Sequence, residues 1–96
     1  MRARLQEEAI TEGMKKLESW ELRGNALFRR MQFKDFKQAF AFMGKVSEAA
    51  EQLNHHPDWR NVYNVLEISL STHDAGGITA LDMKLAEEID KLSHGF

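Results

Sequence analysis

Apolar positions along the chain recur at two different periods, and these divide it into alternating helical and extended stretches. From about Leu5 to Leu17, the residues Leu5, Ile10, Met14 and Leu17 fall roughly on one helical face. Glu7, Glu8 and Glu12 put negative charge in its N-terminal half, where the helix dipole favours it. Gly13 weakens this helix by on the order of 1 kcal/mol relative to alanine, so tertiary packing must hold it. Ser19-Trp20-Glu21-Leu22-Arg23 then reads as a short strand and Gly24-Asn25 as a turn. Ala26 to Phe33 follows as a second strand, in which Leu27, Met31 and Phe33 alternate with polar neighbours and Phe28 breaks the pattern. A hairpin is predicted here.

The longest helical signal begins after Asp35, a capping residue, with Gln38 three positions on to complete a capping box. Phe36, Phe40, Met43, Val46, Ala50 and Leu53 define a wide apolar stripe that is expected to face the core. On that reading Phe40→Ala costs about 3–5 kcal/mol. Pro57, the only proline, ends this helix at or just before His56. Beyond it, Asp58 to Val65 carries Trp59, Val62, Tyr63 and Val65. Leu66 to Thr72 alternates Leu66, Ile68 and Leu70 against Glu67, Ser69 and Ser71, the cleanest strand signal in the chain. Near Asn64 the chain either turns tightly or continues as one long bent strand. Asp74-Ala75-Gly76-Gly77 is a turn, and Thr79 with Asp82 forms a second capping box before Leu81, Leu85, Ile89 and Leu92. The order αββαββα, without repeats or linkers, predicts a single α+β domain over residues 1–96: a four-stranded antiparallel sheet with helices packed on one face.

Composition narrows the function classes. Ninety-six residues suit one core, and 43% hydrophobic with 29% charged residues is ordinary for a globular protein. A net charge of −2 supplies no basic face for direct nucleic-acid binding. The absence of cysteine excludes disulfides, thiolate metal sites and thiol nucleophiles. No apolar run has the length of a membrane span and MRARLQEEAITEG is unlike a signal peptide, so a cytoplasmic protein is expected.

The chemistry concentrates in EQLNHHPDW, Glu51 to Trp59, together with His73. Histidine exchanges protons near neutrality, and a carboxylate can hold its ring in place. His55 and His56 are expected at a helix C-terminus, where free carbonyls favour an imidazolium. Glu51, four residues before His55, can share its face. His73 has the parity of Ser71, opposite the core-facing leucines, so it can leave the sheet end towards a pocket. Singly, each has an ordinary structural reading: a helix-end histidine caps carbonyls, Glu51 is a solvated charge, Asp82 caps a helix, and Trp59 and Tyr63 pack.

The combination says more. Glu51, three residues, His55-His56-Pro57, five residues, Tyr63, nine residues, His73, eight residues and Asp82 resembles the pattern of the pterin-4a-carbinolamine dehydratase family. FKDFKQAFAFM before the histidines, NVYNV after them and LSTHDAGGIT before the last helix resemble it too. The resemblance implies a dehydratase acting on 4a-hydroxytetrahydropterin in pterin recycling for aromatic amino acid hydroxylation. It makes His55 and His73 the acid and base pair, with the two roles unassigned, His56 chiefly a substrate-holding group and Glu51 an orienting or charge-balancing carboxylate. Asn54, Ser71, Thr72 and Asp74 become substrate-contacting positions, with Trp59 as an apolar wall. It implies no cofactor, the pterin being the substrate, and a homodimer or homotetramer. Two other readings stay open. One is a binding module, since animal members of the family also serve as a dimerisation cofactor of a homeodomain transcription factor. The other is a metal site built from Glu51, His55, His56 and His73.

Overall fold

The computed structural model describes residues 3–96. They run in the order α1 (Glu7–Met14), β1 (Glu21–Arg23), β2 (Ala26–Gln32), α2 (Phe36–Leu53), β3 (Asp58–Val62), β4 (Val65–Leu70), one 3-10 turn (His73–Ala75) and α3 (Ala80–Ser93). The strands form one antiparallel sheet in the order β1-β2-β4-β3. This is the α+β architecture that the hydrophobic pattern predicts.

Local chemistry explains the hairpins. Arg23 pairs with Ala26 across Gly24-Asn25, and Gly24 adopts a φ of 58°, which glycine takes without steric cost. Near Asn64 the chain turns tightly, with Val62 opposite Val65. Tyr63 there takes a φ of 51°, a conformation that a residue with a Cβ adopts only under constraint. Side-chain amides supply that constraint. Asn61 donates to the carbonyls of Tyr63 and Val65 at 3.1 and 2.9 Å, and Asn64 donates to the carbonyl of Phe33 at 2.8 Å.

The inward side chains of β4, Leu66, Ile68 and Leu70, are at most 1% exposed and share one core with Leu27, Phe42, Val46, Leu85 and Ile89. Phe28, which breaks the alternation of β2, is shielded on the opposite face by the Arg23 guanidinium, 3.7 Å from its ring centroid. Arg29 has the parity of the core-facing Leu27, and Asp90 of α3 makes this tolerable. That buried carboxylate accepts from Arg29 Nη1 at 2.6 Å, Trp20 Nε1 at 2.7 Å and the Glu18 amide at 2.8 Å. α1 is shorter than the expected Leu5 to Leu17, but Leu5, Ile10, Met14 and Leu17 all pack against the core. At Gly13 a Cβ would stand 2.8 Å from Met83 Sδ of α3, so the end of that flexible side chain would have to move to admit one.

The apolar stripe of α2 departs from expectation. Its buried residues are Ala39, Phe42, Val46 and Ala50. Phe36 and Phe40 are 46% and 61% exposed and stack on each other with centroids 5.6 Å apart. FKQAFAF places phenylalanines on two faces, and helical spacing suits either. Tertiary contact decides for Phe42, whose ring lies 5.2 Å from that of Phe33 and 5.2 Å from that of Phe96. At the start of α2, Asp35 accepts from the Gln38 amide at 2.8 Å, while the Gln38 side chain reaches past Asp35 to the Lys34 amide at 2.9 Å.

The core residue of this helix is therefore Phe42, and Phe40→Ala does not open a core cavity. Phe42→Ala lowers stability by about 3–5 kcal/mol and Phe40→Ala changes it by no more than about 0.5 kcal/mol. Urea unfolding midpoints, taken at protein concentrations dilute enough to hold single chains, check the pair.

Candidate active site

The end of α2 sets the positions of both adjacent histidines. The helix does not run on to His56 but stops at Leu53, and Asn54 turns into the left-handed conformation with φ 48° and ψ 46°. The Asn54 amide donates to the Glu51 carbonyl at 3.1 Å and the His55 amide to the Ala50 carbonyl at 3.0 Å, the pairing that closes many helix ends. This reversal sends two neighbouring imidazoles to different surroundings. His55 is buried, with a side chain 7% exposed, whereas that of His56 is 57% exposed.

The carboxylates then divide between the rings differently from expectation. Glu51 does not reach His55, because the helix ends before the spacing of four residues can bring them together. Glu51 Oε2 instead lies 2.5 Å from His56 Nε2, in a pair open to solvent. The partner of His55 is Asp82, whose Oδ1 lies 2.5 Å from His55 Nε2 and which is wholly buried. Its second oxygen, Oδ2, accepts from the Thr79 amide at 2.8 Å and from the Thr72 hydroxyl at 2.9 Å. Asp82 completes the capping box of α3 and at the same time holds an imidazole from the far end of α2. Sequence reasoning had it only as a cap. Its place at the end of the spacing pattern was the one signal of a second task.

His73 arrives from the other side. After β4, an isolated bridge pairs Thr72 with Gly77, and the 3-10 turn His73–Ala75 carries His73 outward, exposed. The two element ends meet at an open cavity of about 260 Å³ lined by Asn54, His55, His56, Ser71, Thr72, His73 and Asp74. Five of these seven are exposed and two, His55 and Thr72, are buried; the Thr72 hydroxyl is bonded to Asp82 and to Thr79 Oγ1 at 2.7 Å. Glu51 stands behind His56, outside the lining. Trp59, expected as an apolar wall, does not line this cavity. It pairs across the sheet with Ile68 and packs half-buried against the core.

Among the described residues, no three histidine, aspartate or glutamate side chains converge as a metal site would require. Glu51, His55, His56 and His73 divide between a buried pair, a surface pair and a separate turn. The arrangement can support proton transfer: two imidazoles from the ends of different elements line one hollow together with the Ser71 hydroxyl and the Asn54 amide.

A family model described as pterin 4 alpha carbinolamine dehydratase matches residues 3–92. The chain belongs to this family. It is 50% identical over 92 residues to a protein of Bradyrhizobium sp. provisionally named a pterin-4-alpha-carbinolamine dehydratase, covering 94% of this chain and 93% of that one. A protein of Prochlorococcus marinus with the same provisional name is 49% identical over 88 residues, covering 92% of each. Among solved structures, a transcriptional coactivator/pterin dehydratase from Brucella melitensis superposes with a TM-score of 0.88 at 40% identity, over 93% of this chain and 97% of that one. A pterin dehydratase-like protein described as a RuBisCO assembly factor in the alpha-carboxysome shares the fold at a TM-score of 0.67 and 23% identity, over 81% of this chain and 93% of that one. No helix among the described residues is long and apolar enough to cross a membrane.

The two carboxylates differ in what their loss exposes. Asp82→Ala leaves a buried imidazole, a hydroxyl and an amide without their acceptor and lowers stability by about 3–5 kcal/mol. Glu51→Gln removes a solvent-screened pair and shifts stability by no more than about 0.5 kcal/mol. Chemical denaturation of the two variants measures the contrast.

Proposed function

We propose that this protein is a hydro-lyase that removes water from a 4a-hydroxytetrahydropterin to give quinonoid dihydropterin. The observation that carries the reading is the meeting of His55 and His73 at one cavity in a chain of the dehydratase family. Hydroxide leaves poorly, so the elimination needs two proton transfers. A base takes the proton from N5, the N5 electron pair forms the bond to C4a, the C4a–oxygen bond breaks, and an acid protonates the departing oxygen so that water leaves. Imidazoles do both at neutral pH, and one pair of them can exchange the two roles for substrates of opposite configuration. His56, paired with Glu51, holds the ring, while Asn54, Ser71 and Asp74 offer hydrogen-bonding partners for the polar pterin edge. Neither a metal nor a further cofactor takes part. We place the reaction in the cytoplasm, in recycling of the pterin used for aromatic amino acid hydroxylation.

A homodimer or homotetramer completes the proposal, because β1 and β3 are open sheet edges and Phe36 and Phe40 form an uncovered aromatic pair. That same pair favours a second reading, a non-enzymatic binding module that meets a partner protein through α2. Similar folds occur in proteins described as a transcriptional coactivator and as an assembly factor.

Turnover of chemically generated carbinolamine separates the two. The enzyme accelerates dehydration over buffer, acid–base help alone being worth on the order of 10²–10⁴-fold. Replacing His73 by alanine, or His55 by glutamine so that Asp82 keeps a partner, lowers the rate by about 10²-fold or more with the melting temperature preserved. A wild-type rate equal to that of buffer favours the module.

A further inference from the structure

We propose that Asp82 is a positioning residue that fixes His55 in the tautomer with its proton on Nε2, so that Nδ1 is the ring atom presented to substrate. The reaction it serves rests on the dehydratase reading; the tautomer rests on geometry alone.

The direction of the buried hydrogen bonds supplies the argument. The Thr79 amide can only donate, so Asp82 Oδ2, 2.8 Å away, is an acceptor. Thr79 Oγ1 accepts from the Leu81 amide at 3.2 Å, and because the single Thr72 hydroxyl proton goes to Asp82, the 2.7 Å contact between the two hydroxyls takes the Thr79 proton. Thr72 in turn gives its proton to Oδ2 at 2.9 Å. The chain therefore runs one way, from Thr79 through Thr72 to Asp82, and leaves no proton for Oδ2 to carry. Oδ1 faces His55 Nε2 at 2.5 Å. A carboxylate whose other oxygen takes two donors offers Nε2 an acceptor, so the proton between them is carried by the ring. Nε2–H is thus the donor.

The other ring nitrogen has no hydrogen-bond partner among the described residues, yet it is not sealed in. The one buried side-chain nitrogen or oxygen there without a partner is Arg29 Nε. His55 lines the cavity, so Nδ1 is the atom that opens on it. In the neutral ring Nδ1 carries the lone pair that accepts a proton; once protonated, the same atom is the donor and the Asp82 carboxylate balances the charge. His56 has only a solvent-exposed carboxylate, and His73 has none among the described residues. Of the three imidazoles at the cavity, His55 alone has a tautomer imposed from within the fold.

The test uses the full chain with ¹⁵N-labelled histidine. Long-range ¹⁵N–¹H spectra at a pH where His55 is neutral give a pyridine-type nitrogen at Nδ1 and a pyrrole-type nitrogen at Nε2. In Asp82→Asn the amide oxygen keeps the acceptor place of Oδ2, so the amide nitrogen faces Nε2 and donates to it; the ring proton moves to Nδ1 and the two His55 signals exchange their pyridine-type and pyrrole-type values. In the same variant kcat falls by about 10-fold or more while KM changes little. The wild-type spectrum tests the tautomer even if the variant does not fold. Proton on Nδ1 in the wild type overturns the proposal, as does an Asp82→Asn protein that keeps both the wild-type spectrum and the wild-type kcat. A wild type with the expected spectrum but no turnover of carbinolamine overturns the dehydratase reading and leaves the tautomer standing.

Discussion

One buried carboxylate ties together the three parts of the chain that make up the site. Asp82 receives an imidazole from beyond the C-terminus of α2, a hydroxyl from the strand extension after β4, and the amide at the N-terminus of its own helix. Each donor comes from an element end, where the backbone no longer satisfies itself and side chains must close the account. Burying an ionised group is unfavourable unless its hydrogen-bonding capacity is met, so the three contacts form together or leave a charge stranded. The convergence of helix and strand ends is thereby coupled to the folding of α3.

A second carboxylate on the same helix shows what is particular to the first. Asp90 is also buried and also takes three donors, from Arg29, Trp20 and the Glu18 amide. The groups that Asp90 holds have no ionisation to exchange near neutrality: a guanidinium, an indole and a backbone amide. The cluster clamps the chain before β1, and β2, onto the far half of α3. Asp82 instead holds a ring with a second, open nitrogen. Two similar pieces of electrostatic architecture thus differ in one respect, the kind of group that each one holds.

The surface of α2 tells a complementary story. A helix in a two-layer α+β domain needs one apolar face, and this one has two, with Phe42 inside and the stacked Phe36 and Phe40 outside. The outer pair adds nothing to the core of a single chain. Its stacking covers part of each ring and leaves the rest as apolar surface.

Much of this was legible in the order of residues. Alternation fixed β4, Gly24-Asn25 marked the first hairpin, Asp35 and Thr79 marked the starts of α2 and α3, and the spacing of Glu51, His55, His56, His73 and Asp82 carried the resemblance to the family. These are local signals, set by backbone periodicity and by side chains that act within a turn of their own position. Four features were decided elsewhere. Whether Phe40 or Phe42 enters the core depends on Phe33 and Phe96, which no helical period can see. Whether Arg29 can face inward depends on Asp90, 61 residues away. Whether Glu51 serves His55 or His56 depends on one left-handed residue, Asn54. The partner of His55, 27 residues further along, depends on α3 docking against the end of α2. Sequence settled which elements form and which residue types stand at their ends; tertiary packing alone chose their partners, because burial and hydrogen-bond completion are properties of groups brought together in space.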